Sequence, residues 1–219
     1  MKRTVSTRAK VAIAIAATAA VTVPATAVAG GLFPPRPTES VTVLPEGQDN
    51  PMIADGVAIG KNVAWYKSSG LGPADMNDDA PEGSEQRYIP TDLFPGADLP
   101  EGVTLTEAQA LGALRRIGEN LENAGLSFDD VVSMRVFLQN PDGEDRLDFA
   151  GFNRAYRQFF ANTSVSTGEV IDVPLGSAAP APPMVVNPAR PSRFVVEVEN
   201  LPVEGWLVEI EVDAVYPAT

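Results

Sequence analysis

Residues 106–139, TEAQALGALRRIGENLENAGLSFDDVVSMRVFLQ, join a helical pattern to a strand pattern across a glycine. Thr106 and Gln109 have the spacing of a capping box, and Gly125 stands where a helix C-terminal stop is expected. Between them, apolar residues recur at helical spacing and predict an amphipathic helix: Leu111, Leu114, Ile117 and Leu121. The stretch therefore predicts a helix that turns at Gly125 into a strand.

The strand pattern over residues 130–139 places Met134, Val136 and Leu138 on one face. A second helix is predicted over residues 148–160, where aromatic side chains form a stripe: Phe149, Phe152, Tyr156 and Phe159. We interpret this stripe as core packing under a sheet rather than as a cofactor site.

Further strand patterns lie near both ends of the chain. One begins at Val57 and includes NVAWYKSSG at residues 62–70, and two more cover residues 193–199 and 207–216. The order strand, helix, strand, helix, strand, strand predicts an α+β fold in which both helices pack on one face of a single mixed β-sheet.

Irregular and proline-rich segments surround this predicted domain, residues 57–219. Residues 30–56 are expected to form a proline-rich N-terminal arm, and two irregular inserts are expected at about 72–104 and 161–192. The first insert contains an alternation that resembles a calcium loop, with Asp75, Asn77 and Asp79, but that loop's glycine and glutamate are missing. A solvated acidic loop is the better interpretation.

The first 29 residues have the pattern of a signal peptide. Four cations precede an apolar run at residues 11–23 that is too short to span a bilayer, and Ala27-Val28-Ala29 matches a cleavage motif. We expect cleavage near Gly30 and secretion, with no membrane attachment afterwards. A retained amphipathic anchor is the alternative, although the run has no charged face.

Composition excludes several kinds of chemistry. The 219 residues include no cysteine and no histidine, so disulfides, catalytic triads with histidine and the usual zinc sites are excluded. The net charge of −13 opposes binding to nucleic acid and to anionic lipid. Carboxylates, arginines, hydroxyls and bound water remain for chemistry.

The two C-terminal strands alternate between apolar and charged residues. Arg193, Val195 and Glu197 share one face of the first strand, and Phe194 and Val196 share the other. If the apolar faces of both strands form the core, the opposite sheet face holds Arg193 among five carboxylates: Glu197, Glu199, Glu209, Glu211 and Asp213. Such a face could be simply solvated, or it could be a binding site.

Three stretches resemble the reactive intermediate deaminases, the Rid or YjgF family, which is related in fold to the trimeric chorismate mutases. Residues 107–140 are similar to the family's long helix, Ala-Gly turn and strand, and DFAGFNRAYRQFF (148–160) is similar to its second helix. PSRFVVEVENLPVEGWLVEIEVDAV (191–215) resembles its Pro-x-Arg strand, Leu-Pro turn and terminal strand. The resemblance covers most of residues 57–216, apart from the inserts.

The family signature identifies which of two nearby arginines is the candidate site residue. The literal Pro-Ala-Arg tripeptide ends at Arg190, but the family's arginine lies eight residues before the leucine of the Leu-Pro turn. Counting from Leu201 gives Arg193, in Pro-Ser-Arg. The resemblance therefore implies that Arg193 belongs to the site and that Arg190 is a solvated charge or part of the pocket mouth.

The resemblance also implies an activity and an assembly. Family members hydrolyse enamine and imine acids to keto acids and ammonia without a cofactor, in pockets between the subunits of a homotrimer. Arg193 would bind the substrate carboxylate with its planar guanidinium, and Glu209 would hold the attacking water. The other candidate substrate-binding residues are Asn153, Tyr156 and Val195. The alternatives are a non-catalytic module that binds a small carboxylate and a purely structural acidic surface protein.

Overall fold

The structure, a computed structural model, describes residues 34–217. The expected signal peptide and its cleavage site lie outside these residues. The helices and strands, in chain order, are β1 (Ser40–Val43), β2 (Gly56–Ile59), β3 (Trp65–Lys67), α1 (Leu105–Asn123), β4 (Val131–Leu138), α2 (Phe149–Arg157), β5 (Ser192–Glu197) and β6 (Val208–Val215).

A four-stranded mixed sheet organises the domain. Its strand order is β3-β6-β4-β5, in which β4 and β5 are parallel and the other neighbours are antiparallel. The two helices lie on one face of this sheet and enclose the apolar core with it. We call the opposite face the open face. The predicted α+β architecture is confirmed.

The N-terminal arm contains structure that the sequence analysis missed. β1 and β2 form a separate two-stranded antiparallel sheet, and this pairing crosses the boundary expected between residues 56 and 57. Farther along the arm, the Ala54 N–H donates to the carbonyl of Pro191, just before β5, and Ala54 forms a bridge with Ser192 of β5. The arm is therefore hydrogen-bonded to itself and to the sheet.

The start of α1 differs from the prediction. Thr104 is the N-cap, and its hydroxyl accepts a hydrogen bond from the Glu107 N–H at 3.1 Å, so the capping box predicted at Thr106 is wrong. Gln109 is instead fully buried, and its amide bonds the backbone of two other segments. Its partners are Glu85, Gly205 and Leu207.

The end of α1 and the following strand follow the prediction. Gly125 has a φ of 76°, and its N–H and that of Leu126 bond back to the last helical turn, as in a Schellman motif. In β4, Met134, Val136 and Leu138 are completely buried. Their face meets the helices, as the alternation predicted.

Asp148 caps α2 by accepting from the Gly151 N–H at 2.8 Å, and it also accepts a hydrogen bond from the Thr104 hydroxyl. The N-cap residues of the two helices are therefore directly bonded to one another. Phe152 is buried, as are Tyr156 and Phe159, but Phe149 is 47% exposed. The interpretation of the aromatic stripe as core holds for all but its first member.

The faces predicted for β5 are inverted. Arg193 is in register with the buried Met134 of β4, so Arg193 and Val195 point toward the helices. Phe194 and Val196 lie on the open face and are 51% and 38% exposed. The alternation was identified correctly, but β5 is an edge strand whose helix-facing side accommodates a long polar side chain.

The inserts contain no α-helix, and the first contains only short 3-10 turns. In the first insert, Arg87 donates to Asp75 at 2.8 Å and to Asp78 at 3.2 Å, so the calcium-like loop is internally paired. Within residues 34–217, no group of three acidic side chains is arranged to hold a metal ion. The described helices also include none with the length and apolar content needed to cross a membrane.

Candidate functional site

Arg193 lies beneath α2, among aromatic rings. Its Cζ is 4.3 Å from the ring centroid of Tyr156, 5.4 Å from that of Phe152 and 5.9 Å from that of Phe149. Its Nη2 donates to Oδ1 of Asn153 at 2.8 Å. These residues occupy successive turns of α2, so the helix and the sheet together fix the guanidinium.

The guanidinium of Arg193 retains donors without partners. Its Nε and Nη1 are buried and have no hydrogen-bond acceptor within residues 34–217, and Arg193 takes part in no ion pair among these residues. Burial lowers the pKa of Arg193, but an arginine keeps its charge at neutral pH. A half-buried cation with two buried nitrogens and no acidic partner among the described residues suits an anionic ligand.

Tyr156 connects the Arg193 environment to the N-terminal arm. Its ring stacks on that of Phe160, with centroids 5.2 Å apart, and its hydroxyl donates to the carbonyl of Met52 at 2.8 Å. Burial raises the pKa of Tyr156, so the hydroxyl stays protonated at neutral pH. In this arrangement the ring of Tyr156 packs against its neighbours, and the hydroxyl proton is already donated to the Met52 carbonyl.

Of the predicted site residues, Arg193, Asn153 and Tyr156 are brought into contact. Val195 is partly buried against the core, two positions along β5 from Arg193 and on the same face. The structure therefore groups the four candidate substrate-binding residues on the helix side of the sheet.

Glu209 lies on the open face, in register with Phe137 of β4. Its carboxylate packs directly over the backbone of Gly70, where any side chain would collide with it. Within the described part of the chain, it takes part in no ion pair. Arg193 and Glu209 are thus on opposite faces, and a single chain does not bring them together.

The arginine of the open face is Arg135, which the sequence analysis did not consider. It donates to Asp213 at 2.7 and 2.8 Å and also bonds Glu211, which is paired with Lys67. Burial raises the pKa of Glu211, but hydrogen bonds from Lys67 and Arg135 outweigh it and leave the pKa below its usual value. The predicted cluster of five carboxylates around Arg193 is therefore wrong, because Arg135 supplies the central cation.

Arg190 is not the solvated charge that the sequence analysis expected. It is 6% exposed, and its guanidinium donates to three backbone carbonyls, those of Pro51 at 2.7 Å, Pro188 at 2.7 Å and Thr163 at 2.5 Å. Burial lowers its pKa. No sequence pattern distinguished this arginine, because its acceptors are carbonyls from distant segments.

Two surface cavities lie near the two-stranded sheet. One, of about 330 Å³, is lined by hydroxyl residues of the arm, by Asp129 and Asp130, and by Arg190. The other, of about 430 Å³, lies between Ile59, Trp65 and Ser133. Neither is lined by Arg193 or Glu209, so the candidate site residues lie apart from both of these cavities.

A protein-family profile described as Endoribonuclease L-PSP matches residues 100–216. A RutC family protein of Synechocystis is 32% identical over 111 residues, which make up 51% of this chain and 62% of that protein, so less than two thirds of its length is spanned. A YjgF/YER057c/UK114 family structure from Mycobacterium tuberculosis is 20% identical over 81% of this chain and all of its own, with a TM-score of 0.40. The Rid family protein YyfB from Yersinia pestis is 16% identical over 81% of this chain and 98% of its own, with a TM-score of 0.45. The profile match extends over more than half of the sequence and includes α1, α2 and the Arg193 strand, and the chain therefore belongs to the Endoribonuclease L-PSP family, also called the Rid or YjgF family.

Proposed function

We propose that this protein is a secreted deaminase that hydrolyses enamine and imine acids to keto acids and ammonia. The proposal depends mainly on one observation, the guanidinium of Arg193, which is enclosed by aromatic rings and has unpartnered N–H groups. A half-buried charge without a counter-charge is costly, and a bound carboxylate would supply both the opposite charge and acceptors for Nε and Nη1. The substrate class is therefore a small acid.

The opposite-face positions of Arg193 and Glu209 support a site built between subunits. One small substrate cannot reach both side chains in the same chain, because the sheet separates them. If Arg193 comes from one copy and Glu209 from its neighbour, both can meet one ligand. The open face also exposes Trp65 and Phe194, which association would bury. We therefore propose the homotrimer that the family resemblance implies.

The reaction depends mainly on the positions of the substrate and of one water molecule. Arg193 would hold the substrate carboxylate and so fix the imine carbon next to a water oriented by Glu209. Addition of this water across the C=N bond gives a carbinolamine, which loses ammonia to leave the keto acid. An enamine first takes a proton on carbon to become the imine. Because imines already hydrolyse in water, an oriented carboxylate and water are sufficient.

The test couples the purified protein to an amino-acid oxidase that releases imino acids and follows keto acid and ammonia. The expected result is faster release than with oxidase alone, over a panel of amino acids. The matched control is Arg193→Ala at the same protein concentration. Equal rates with and without the wild-type protein across the whole panel would reject the deaminase.

The second candidate is a non-catalytic module that binds a small carboxylate. The separation of Glu209 from Arg193 within one chain favours this alternative if the protein is monomeric. Calorimetric binding of pyruvate without any acceleration in the oxidase assay would support it. Although the family profile carries a ribonuclease description, the net charge of −13 opposes an RNA substrate.

A further inference from the structure

Residues 50–54 of the N-terminal arm form a segment that we call the strap, and four of its five residues are hydrogen-bonded to other parts of the domain. Its contacts reach α2, the second insert and the segment before β5. The hydrogen bonds are Asn50 Oδ1 with the Val165 N–H at 2.9 Å, the Pro51 carbonyl with Arg190 at 2.7 Å, the Met52 carbonyl with the Tyr156 hydroxyl at 2.8 Å, and the Ala54 N–H with the Pro191 carbonyl at 3.3 Å.

Arg190 is one of the side chains that join the strap to the rest of the domain. Its three guanidinium nitrogens each donate to a different carbonyl, in the strap (Pro51), in the second insert (Thr163) and in its own turn (Pro188). A planar guanidinium can serve three separated acceptors at once, whereas the single nitrogen of a lysine cannot. Arg190 is buried and forms no ion pair within residues 34–217, so these three carbonyls are the acceptors that hold its guanidinium.

The strap and Arg193 meet through Tyr156. The hydroxyl of Tyr156 holds the Met52 carbonyl, and the ring of the same residue lies 4.3 Å from the Arg193 guanidinium. Displacement of the strap would release the Tyr156 hydroxyl and loosen the ring that covers Arg193. The unpartnered N–H groups of Arg193 would then be reached by water, which competes with a ligand for them.

We propose that Arg190 is a positioning residue for the Arg193 site. It holds the strap against Tyr156, and the strap in turn keeps the Arg193 guanidinium shielded and aligned for a carboxylate. Arg190 touches neither the substrate nor the reacting atoms. The binding part of this inference rests on the proposed carboxylate function, whereas the shielding part does not.

Hydrogen exchange tests the shielding without any ligand. In Arg190→Lys, backbone exchange in a peptide covering residues 50–55 and exchange of the Arg193 Nε–H, followed by NMR, should both accelerate about tenfold, while β4 amides stay protected. Tyr156→Phe removes only the strap hydrogen bond and should produce the same local effect if Arg190→Lys folds poorly. Unchanged exchange at Arg193 in both variants would overturn the inference.

Titration with pyruvate tests the consequence for binding. Arg190→Lys should weaken the affinity about tenfold, and the double variant with Tyr156→Phe should be no weaker than the worse single variant, because both act through the strap. Arg87→Lys is the control, since Arg87 also holds a loop by three hydrogen bonds but contacts neither the strap nor Tyr156. The affinity of this variant for pyruvate should equal that of the wild type. Faster exchange with unchanged affinity would overturn the positioning role. A wild-type protein that binds no small carboxylate would reject the proposed function. The exchange experiment would then still decide whether Arg190 shields Arg193.

Discussion

Arg193 and Glu209 occupy opposite faces of the same four-stranded sheet, Arg193 in register with Met134 under the helices and Glu209 in register with Phe137 on the open face. Although these are the two residues expected to act on one substrate, the backbone of the sheet lies between them. A site that uses both must therefore be completed by a second subunit.

Removing the guanidinium of Arg193 should abolish most of the activity. Arg193→Ala should lower kcat/KM by the equivalent of about 2–4 kcal/mol, because a charge-assisted contact is lost and the ligand carboxylate is left unpaired. Arg193→Lys should recover only part of this loss, since an ammonium cannot reproduce the planar fork. The oxidase-coupled assay measures both variants. A fully active Arg193→Ala would exclude this residue from the site.

Glu209→Gln should affect turnover more than binding. The amide keeps the shape of the carboxylate but loses the charge that orients water, so kcat should fall while the affinity for pyruvate stays close to that of the wild type. Steady-state kinetics and calorimetry separate the two quantities. An equal loss in both would indicate that Glu209 binds the ligand instead.

Mixing two inactive variants tests the shared site directly. In a trimer assembled at random from equal amounts of Arg193→Ala and Glu209→Gln, about one quarter of the interfaces combine an intact Arg193 with an intact Glu209. Activity should therefore return to about a quarter of the wild-type value after co-refolding. Light scattering should show a trimer, and a monomer at micromolar concentration would remove the interface site.

Replacing Arg190 should destabilise the fold. Arg190→Ala leaves three carbonyls without their donor in a buried region, and we expect the free energy of unfolding to fall by about 2–4 kcal/mol. Urea denaturation measures the change. A loss of only a few tenths of a kcal/mol, as an exposed cation would give, would contradict the buried position of Arg190.

The stability contributed by Glu85 should depend on pH. Burial of this carboxyl raises its pKa above the value in the unfolded chain, although the Asp142 N–H partly opposes the shift. Its contribution to stability is then fully present below the unfolded pKa and is lost as the pH rises through the raised folded value. Glu85→Gln should stabilise the protein at pH 7 and have little effect near pH 4. Urea midpoints at the two pH values check this, and an equal change at both would show that ionisation of Glu85 is not responsible.

The regular elements could be predicted from local patterns because helix and strand periodicity reflect the core directly. The four buried leucine and isoleucine positions of α1, the stop at Gly125 and the buried face of β4 all follow from residues close in sequence. The face of β5 could not be predicted in this way. Phe194 and Val196 alternate there with Arg193 and Val195, but the side of the sheet that Arg193 takes depends on the aromatic residues of α2, which are remote in sequence.

The candidate site was predicted only as a set of residue identities. The family spacing from Leu201 selected Arg193, and Asn153 and Tyr156 do contact it. The role of Arg190 was not predicted because its acceptors are backbone carbonyls, which residues of every type carry and which therefore leave no signal in the sequence. For the same reason, the ties between the strap and Tyr156 could be found only from the structure.

The hydrogen bond between Thr104 and Asp148 has a consequence for how this domain can change over evolution. The two helix starts are fixed to each other by their own cap side chains, and buried Glu107 adds a second tie to Arg154 of α2. Both contacts join the cap and helix residues directly to each other, and the entropic cost of lengthening a loop grows only slowly with its length. Insertions before α1 and after α2 can therefore accumulate without shifting the helices, and new surface can be added while Arg193 keeps its position.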